Sequence, residues 1–453
     1  MKKFSKLMLL TLLATLILSA CQPAPPEAIV EDKTVIEFWT TDNEEDRVMA
    51  YEAIAEAFMV EHPEIDLRIV AIEEAGVAQR IATAQAANRL PDIVRMGIER
   101  VSVFAADGIL DMDAAVATIQ SIGEDDFRAG PLAMVVDPAS GKYAAVPYDG
   151  WIQAIWYRTD TFSDLGLNAP LTWDDINAAC DAIPGSGDLL YALTLGTDPG
   201  QNYPHQVFEQ VAISNDAWPF DADGNVTMDT PEMIEALRFY ADLQRCAMPG
   251  PQYWRGARES YELGQSGMLF YSTYIMDDLV EGSGMEGGGQ VELIDDLAAL
   301  TGFAPMMEGP NGSASYGQLV TLGILEGADP MAQEVVKFFM TGQNYIDVLA
   351  TAPLGKVPVL KSAVAEWGTL SDYFASYSEE TLSQIANGFD TMQRWLFRPD
   401  YGVVQRAVVG DIESRLLIPI AISNIALEGT MTPETAAEWL QEQVELLYAE
   451  RSE

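Results

Sequence analysis

Cysteine, histidine and basic side chains are all scarce in this chain. With 3 cysteines and 2 histidines, it cannot furnish a convincing zinc site of four nitrogen or sulfur ligands. Lysine and arginine number 25 against 69 acidic residues, a formal charge of −44; such a surface repels nucleic acid and anionic lipid. No Gly-x-Ser-x-Gly elbow occurs and neither histidine stands in a nucleophile constellation. The glycine-rich stretch 281–290 has no lysine and no phosphate-loop spacing. Past the N-terminus no apolar run is long enough to span a bilayer.

Material for cores is plentiful. Hydrophobic residues make up 49% of 453, more than one ordinary core would use, and the length predicts two domains. Lys2, Lys3 and Lys6, the apolar run from Leu7 to Leu18, and Ser19-Ala20-Cys21 read as an export signal over residues 1–20. Leu18-Ser19-Ala20-Cys21 resembles the bacterial lipobox, which implies diacylation of Cys21 and surface attachment through lipid alone. Residues 21–31, rich in proline, read as a tether. Cys180 and Cys246 are then the remaining pair, and both a disulfide and two free buried thiols stay open.

Thr34 to Phe38, the loop from Trp39 to Asn43 and a helix from Glu44 to Met59 open an α/β unit, whose ligands sit at strand carboxyl ends. Further strands are expected over 65–72 and 90–96 and further helices over 77–88 and 98–107. Strands and helices alternating at this spacing predict mainly parallel sheets covered by helices. Thr172 and Thr230 are placed to cap helices beginning at Trp173 and Pro231. Asp221 to Asn225 lacks the glycine position and bidentate glutamate of a calcium loop and reads as a hairpin turn.

Ala145 to Asp174, AVPYDGWIQAIWYRTDTFSDLGLNAPLTWD, organises the rest. A short strand breaks at Asp149-Gly150, and an apolar run then resumes, as when a chain leaves one core for another. The order of its segments resembles the maltose/oligosaccharide type of extracellular solute-binding protein, the receptor subunit of ABC sugar importers. Pro91-Asp92, Gly264 to Tyr271, Phe303 to Ile324, Met331 to Met340 and Pro353 to Pro358 resemble further steps of that family, in order.

The resemblance implies an α/β, two-lobed, type II periplasmic-binding-protein-like fold with the ligand cleft at the hinge. Both domains are then discontinuous: residues 32–148 with 312–358, and 149–311 with 359–453. It implies an extracytoplasmic, monomeric receptor that takes a neutral mono- or oligosaccharide and hands it to ABC permease subunits, with no cofactor, metal or catalytic residue. Aromatic faces suit pyranose C–H edges, and amides or carboxylates suit hydroxyls. The candidates are Trp39, Asp42, Asn43 and Glu99 in the first lobe, and Asp149, Trp151 and Tyr316 at the crossings. Tyr203, Trp254, Tyr271, Tyr274 and Trp395 come from the second lobe, while Trp156 and Trp173 read as packing. A polyamine receptor of the same fold is the alternative ligand reading. A secreted glycoside hydrolase or an adhesion module are the alternative classes, although no motif holds two carboxylates at a working separation.

Overall fold

The computed structural model describes residues 33–452 except 188, 285–289 and 399. The expected export signal, Cys21 and the tether lie outside the described residues, as does the middle of the 281–290 loop. No helix among the described residues is long and apolar enough to cross a membrane.

Among the described residues, one eight-stranded mixed sheet runs through both lobes. Strands β1 (Thr34–Thr40), β2 (Ile65–Ala71) and β3 (Ile93–Gly97) pair in parallel in the order β2-β1-β3. Next come the two crossing strands, β4 (Val146–Arg158) and β10 (Gly317–Ile324). On the far side lie β6 (Ser266–Ser272) and β5 (Tyr191–Thr194), again parallel to each other, while β7 (Thr301–Ala304) pairs β4. A two-stranded hairpin, β8 (Met306–Glu308) with β9 (Ser313–Ser315), stands apart. Parallel pairing thus holds in the outer strands, but β10 is antiparallel to both β3 and β4, and β4 to β6. A chain that crosses between lobes and returns must reverse direction, and that makes the middle of the sheet antiparallel.

The expected break at Asp149-Gly150 is not there. β4 continues through it, buried at nearly every position, and the irregularity falls one residue earlier on β4 itself: Asp149 and Pro147 pair with the consecutive Val320 and Thr321, leaving Tyr148 as the extra residue of a bulge. Gly150 serves close approach instead: a Cβ there would lie 2.3 Å from the Gln318 carbonyl oxygen and 2.5 Å from the Phe389 ring.

Helix α1 (Glu45–Glu61) has acidic residues in its first turn and buries Tyr51, Ile54, Ala55 and Phe58 on one face. Phe38 of β1 meets Tyr51 and Phe339 edge-on at 5.6 and 5.2 Å, so the first strand, first helix and returning chain share a core. Helix α2 (Ile98–Ala106) follows β3 directly. In the second lobe α3 (Trp173–Ser186) is capped by Thr172, whose hydroxyl accepts the Asp175 N–H at 3.0 Å, and Trp173 stacks on Phe239 at 4.0 Å. Helix α4 (Tyr203–Ser214) packs on the β8–β9 hairpin, α5 (Trp254–Glu262) packs on β5 and β6, and α6 (Ile275–Glu281) packs on α5. Residues 221–225 form a turn between Phe220 and Val226, closed by Asp221 accepting the Asp223 and Asn225 N–H groups. Cys180 and Cys246 are joined, with Cα atoms 5.2 Å apart.

The C-terminal segment after residue 358 contacts both lobes. Leu360 bridges Phe127 and Ser362 donates to Asp126, both on the first lobe. Helix α7 (Val403–Ser414) packs on α2 so closely that a Cβ on Gly410 would lie 2.6 Å from the Glu99 carbonyl oxygen.

Candidate functional site

A cleft of about 1120 Å3, counting its open mouth, lies between the lobes. The loop after β1 supplies Thr41, Asp42, Asn43 and Glu44, α1 adds Arg47, and β3 adds Arg95 and Gly97. The opposite wall carries Gln201, Asn202, Tyr203 and Gln206 at the start of α4, Trp254 and Arg258 on α5, and Tyr271, Ser272 and Tyr274 at the end of β6. The crossing strands form the floor: Trp151 and Gln153 from β4, Gln318 and Val320 from β10. Each of these pairs is two residues apart, which puts both side chains on one face of a strand.

The cleft's charges are arranged in pairs. Arg95 Nη2 lies 3.1 Å from both Asp149 oxygens and 3.5 Å from Asp42. Asp42 also receives Lys356 Nζ at 2.5 Å and the Tyr51 hydroxyl at 3.3 Å. Burial alone would raise the Asp42 pKa, but Arg95, Lys356 and Arg47 outweigh it and hold the carboxyl well below its ordinary value. Arg47 pairs with Glu44 at 2.8 Å and lies over the Tyr274 ring at 4.9 Å. Arg258 pairs with Asp278 at 2.8 Å, approaches Glu44 across the cleft at 3.7 Å, and sits 5.5 Å over the Trp254 ring. Every arginine lining the cleft therefore already faces a carboxylate.

Behind Arg258 the balance tips the other way. Burial, then the Asp278 charge, pushes the Glu262 carboxyl up to about 7. Burial likewise lifts Asp278 to about 6 against the lowering effect of Arg258.

Of the sequence candidates, Asp42, Asn43, Trp151, Tyr203, Trp254, Tyr271 and Tyr274 line the cleft. The Tyr203 hydroxyl is tied to the Phe270 carbonyl at 2.5 Å, leaving only its ring for a ligand. Asp149, Glu99 and Tyr316 lie one layer behind the wall. Asp149 holds Arg95, Glu99 accepts from Gln318 Nε2 at 2.5 Å, and Tyr316 backs Trp151 at 5.9 Å between ring centres. Trp39 and Trp395 do not reach the cleft. Trp39 bonds to Glu37 at 3.2 Å two residues back along β1, and Trp395 is fully buried with its indole N–H on the Ala217 carbonyl. Trp156 and Trp173 are core residues. Position after a motif does not tell which way a side chain turns.

Glu73, Glu74, Gln153, Gln201, Asn202, Gln206, Arg258 and Gln318 line the cleft without having been singled out. Gln153 had a readable signal, two residues from Trp151 on the same strand; Arg258 is one helical turn from Trp254.

The profile of the family described as "Bacterial extracellular solute-binding protein" matches residues 41–343. The chain is 29% identical over 372 residues to YcjN of Escherichia coli K12, carried under the description of an ABC transporter periplasmic-binding protein, covering 80% of this chain and 81% of that one. Its fold is similar to the GacH receptor of Streptomyces glaucescens, solved unliganded and with acarbose, at 20% identity and a TM-score of 0.72 over 92% of this chain and 99% of that one. It is also similar to a sugar transporter protein from Arthrobacter chlorophenolicus A6 with bound laminaribiose, at 16% identity and a TM-score of 0.73 over 91% and 98%.

Proposed function

We propose, from the premise that the chain belongs to the bacterial extracellular solute-binding protein family, that it is the receptor of an ABC importer for a neutral mono- or oligosaccharide. The two lobes close over the sugar, and the filled receptor delivers it to the permease subunits. Family membership carries an extracytoplasmic location, and lipidation at Cys21 would hold the monomer at the outer face of the membrane.

One observation carries the neutral ligand: each arginine of the cleft is matched by a carboxylate of the protein. A sugar phosphate or organic acid would have to displace one of those partners, and Glu73 and Glu74 on the first-lobe wall would repel it. What remains for a ligand is aromatic surface from Trp151, Tyr203, Trp254 and Tyr271, with the side-chain amides of Gln201, Asn202 and Gln206 beside it. Ring faces for C–H groups and planar amides for hydroxyls are what a carbohydrate requires.

Thermal denaturation of the ligand-free protein at fixed salt, screened against neutral sugars, polyamines and phosphorylated sugars, tests this reading. A rise in melting temperature that grows with the concentration of a neutral sugar is expected. Shifts from charged compounds alone would overturn it. The receptor class is tested by motion: a bound sugar should reduce the radius of gyration, whereas an adhesion module would not compact. Steady glycoside hydrolysis surviving repurification would make the protein an enzyme instead.

A further inference from the structure

Asn202 is out of keeping with its position. It stands at the N-cap of α4 in a helical conformation, φ −75° and ψ −17°, and makes no side-chain cap hydrogen bond. Asparagine is favoured at that position because its side-chain oxygen ordinarily accepts an N–H from the first turn. Here Pro204 removes one such N–H, and the amide turns toward the cleft instead. The residue is only 5% exposed, and neither Oδ1 nor Nδ2 has a protein partner. Buried polar atoms are nearly always hydrogen-bonded, so two on one side chain without partners call for a ligand.

The other unpartnered buried atoms on the cleft wall belong to the arginines: Nε of Arg47, Arg95 and Arg258, and Nη2 of Arg258. All of these are donors. Among the described cleft-lining side chains, Asn202 is therefore the one that offers a buried, unpartnered donor and acceptor together. A planar amide presents the two side by side, and two hydroxyls on adjacent carbons match it, one accepting and the other donating.

We propose, resting on the neutral-sugar reading above, that Asn202 is a specificity-determining residue that reads a pair of adjacent hydroxyls on the ligand. The ring of Tyr203, fixed by its own hydroxyl on β6, and the indole of Trp254 on the next helix supply the apolar surface around that pair.

The test uses the full chain and four probes, D-glucose, D-mannitol, maltose and laminaribiose, titrated calorimetrically into wild type, Asn202→Ala and Asn202→Asp. The tightest-binding probe is then compared with its monodeoxy derivatives. Wild type should lose about tenfold or more in affinity when either hydroxyl of one adjacent pair is missing. Asn202→Ala should bind the parent sugar about tenfold or more weakly and should hardly distinguish it from those two derivatives. Asn202→Asp, which keeps acceptors and loses the donor, should fall between. The ligand-free melting temperature of Asn202→Ala should match or exceed that of wild type, because the change removes two unsatisfied buried atoms. Undiminished affinity in Asn202→Ala overturns the proposal while leaving the neutral-sugar reading intact. So does a weakened variant that still rejects the deoxy sugars as wild type does, or one whose melting temperature drops. A wild type that binds none of the probes, yet is stabilised by a phosphorylated sugar or polyamine, overturns both.

Discussion

The first-lobe wall of the cleft carries Asp42, Glu44, Arg47 and Arg95, whereas the second-lobe wall carries Asn202, Tyr203, Trp254 and Tyr271. On the first wall the hydrogen-bonding capacity is largely spent within the protein: Arg95 clamps Asp149 and Asp42, and Lys356 reinforces Asp42 from behind. On the second, an amide and several ring faces are left over. Charge near a ligand site is therefore not by itself a statement about the ligand's charge. Here the ion pairs shape a wall and join β1, β3, β4 and the 353–358 loop, while the uncharged groups opposite are left to bind.

The largest effect should come from breaking the first wall. Arg95→Met leaves Asp149 and Asp42 buried without their shared cation, and such truncations cost about 3 to 5 kcal/mol. Urea denaturation of the ligand-free protein measures it; a loss under about 1 kcal/mol would mean that the pairs are not structural. Trp254→Ala should do the reverse. The residue is half-buried at the start of α5, so folding stability should change little. Sugar affinity should fall by about 2 kcal/mol, the scale of an aromatic binding hot spot. Calorimetry against denaturation separates the two, and an equal loss in both would erase the contrast between the walls.

Much of the scaffold for this contrast was legible in the chain. Thr172 and Thr230 cap as their spacing predicts, the four buried residues of α1 fall at helical period, and the apolar run after Gly150 marks the crossing, although the break expected at Asp149-Gly150 is not there. Antiparallel pairing in the middle of the sheet was not legible, since a strand's residues do not reveal the direction of its neighbours. The site was legible by segment and not by side chain. Trp151 and Tyr203 line the cleft while Trp395 packs against Phe208 and His205, and all three are aromatic residues near family motifs. Asp149 and Glu99 sit one layer back because strand and helix geometry turns them there, which only tertiary packing decides. Asn202 had no signal beyond its neighbour Tyr203, because the pattern Asn-x-Pro reads first as a helix start.

A third effect sharpens the comparison within the second wall. Glu262 ordinarily titrates at 4.5 and in the fold at about 7, from burial first and the Asp278 charge second. The folded state therefore holds this proton more tightly than the unfolded chain does. Its contribution to stability is greatest below pH 4.5 and declines as pH rises to about 7. Glu262→Gln removes the titration and keeps an oxygen for Ser283, which donates to the carboxylate at 2.6 Å. Wild type and variant should have similar stability near pH 4.5, and by pH 8 the variant should be more stable by about 1 to 3 kcal/mol. A difference that stays flat with pH would show that Glu262 is not carrying an uncompensated charge.

The smallest effect belongs to the one ion pair that, among the described residues, joins the two walls. Glu44 stands before α1 and Arg258 on α5, with 3.7 Å between their charged atoms, too long for a strong hydrogen bond. Each has a better partner on its own side, Arg47 at 2.8 Å and Asp278 at 2.8 Å. Opening the cleft would therefore cost neither residue its main contact. A partly exposed pair of this kind contributes about 0 to 1 kcal/mol. Because it forms only when the walls approach, that energy favours the closed arrangement, in which the ligand is held. Glu44→Gln should accordingly weaken sugar binding by less than about fivefold. Raising the salt concentration should weaken wild-type binding by a comparable factor and leave the variant's affinity unchanged, since salt screens a charge pair but not an amide or a ring face. Titration of both proteins at low and high salt checks it. If the variant's affinity falls with salt as steeply as wild type's, the salt-sensitive step lies elsewhere in the cleft, and the ligand's own charge becomes the first place to look.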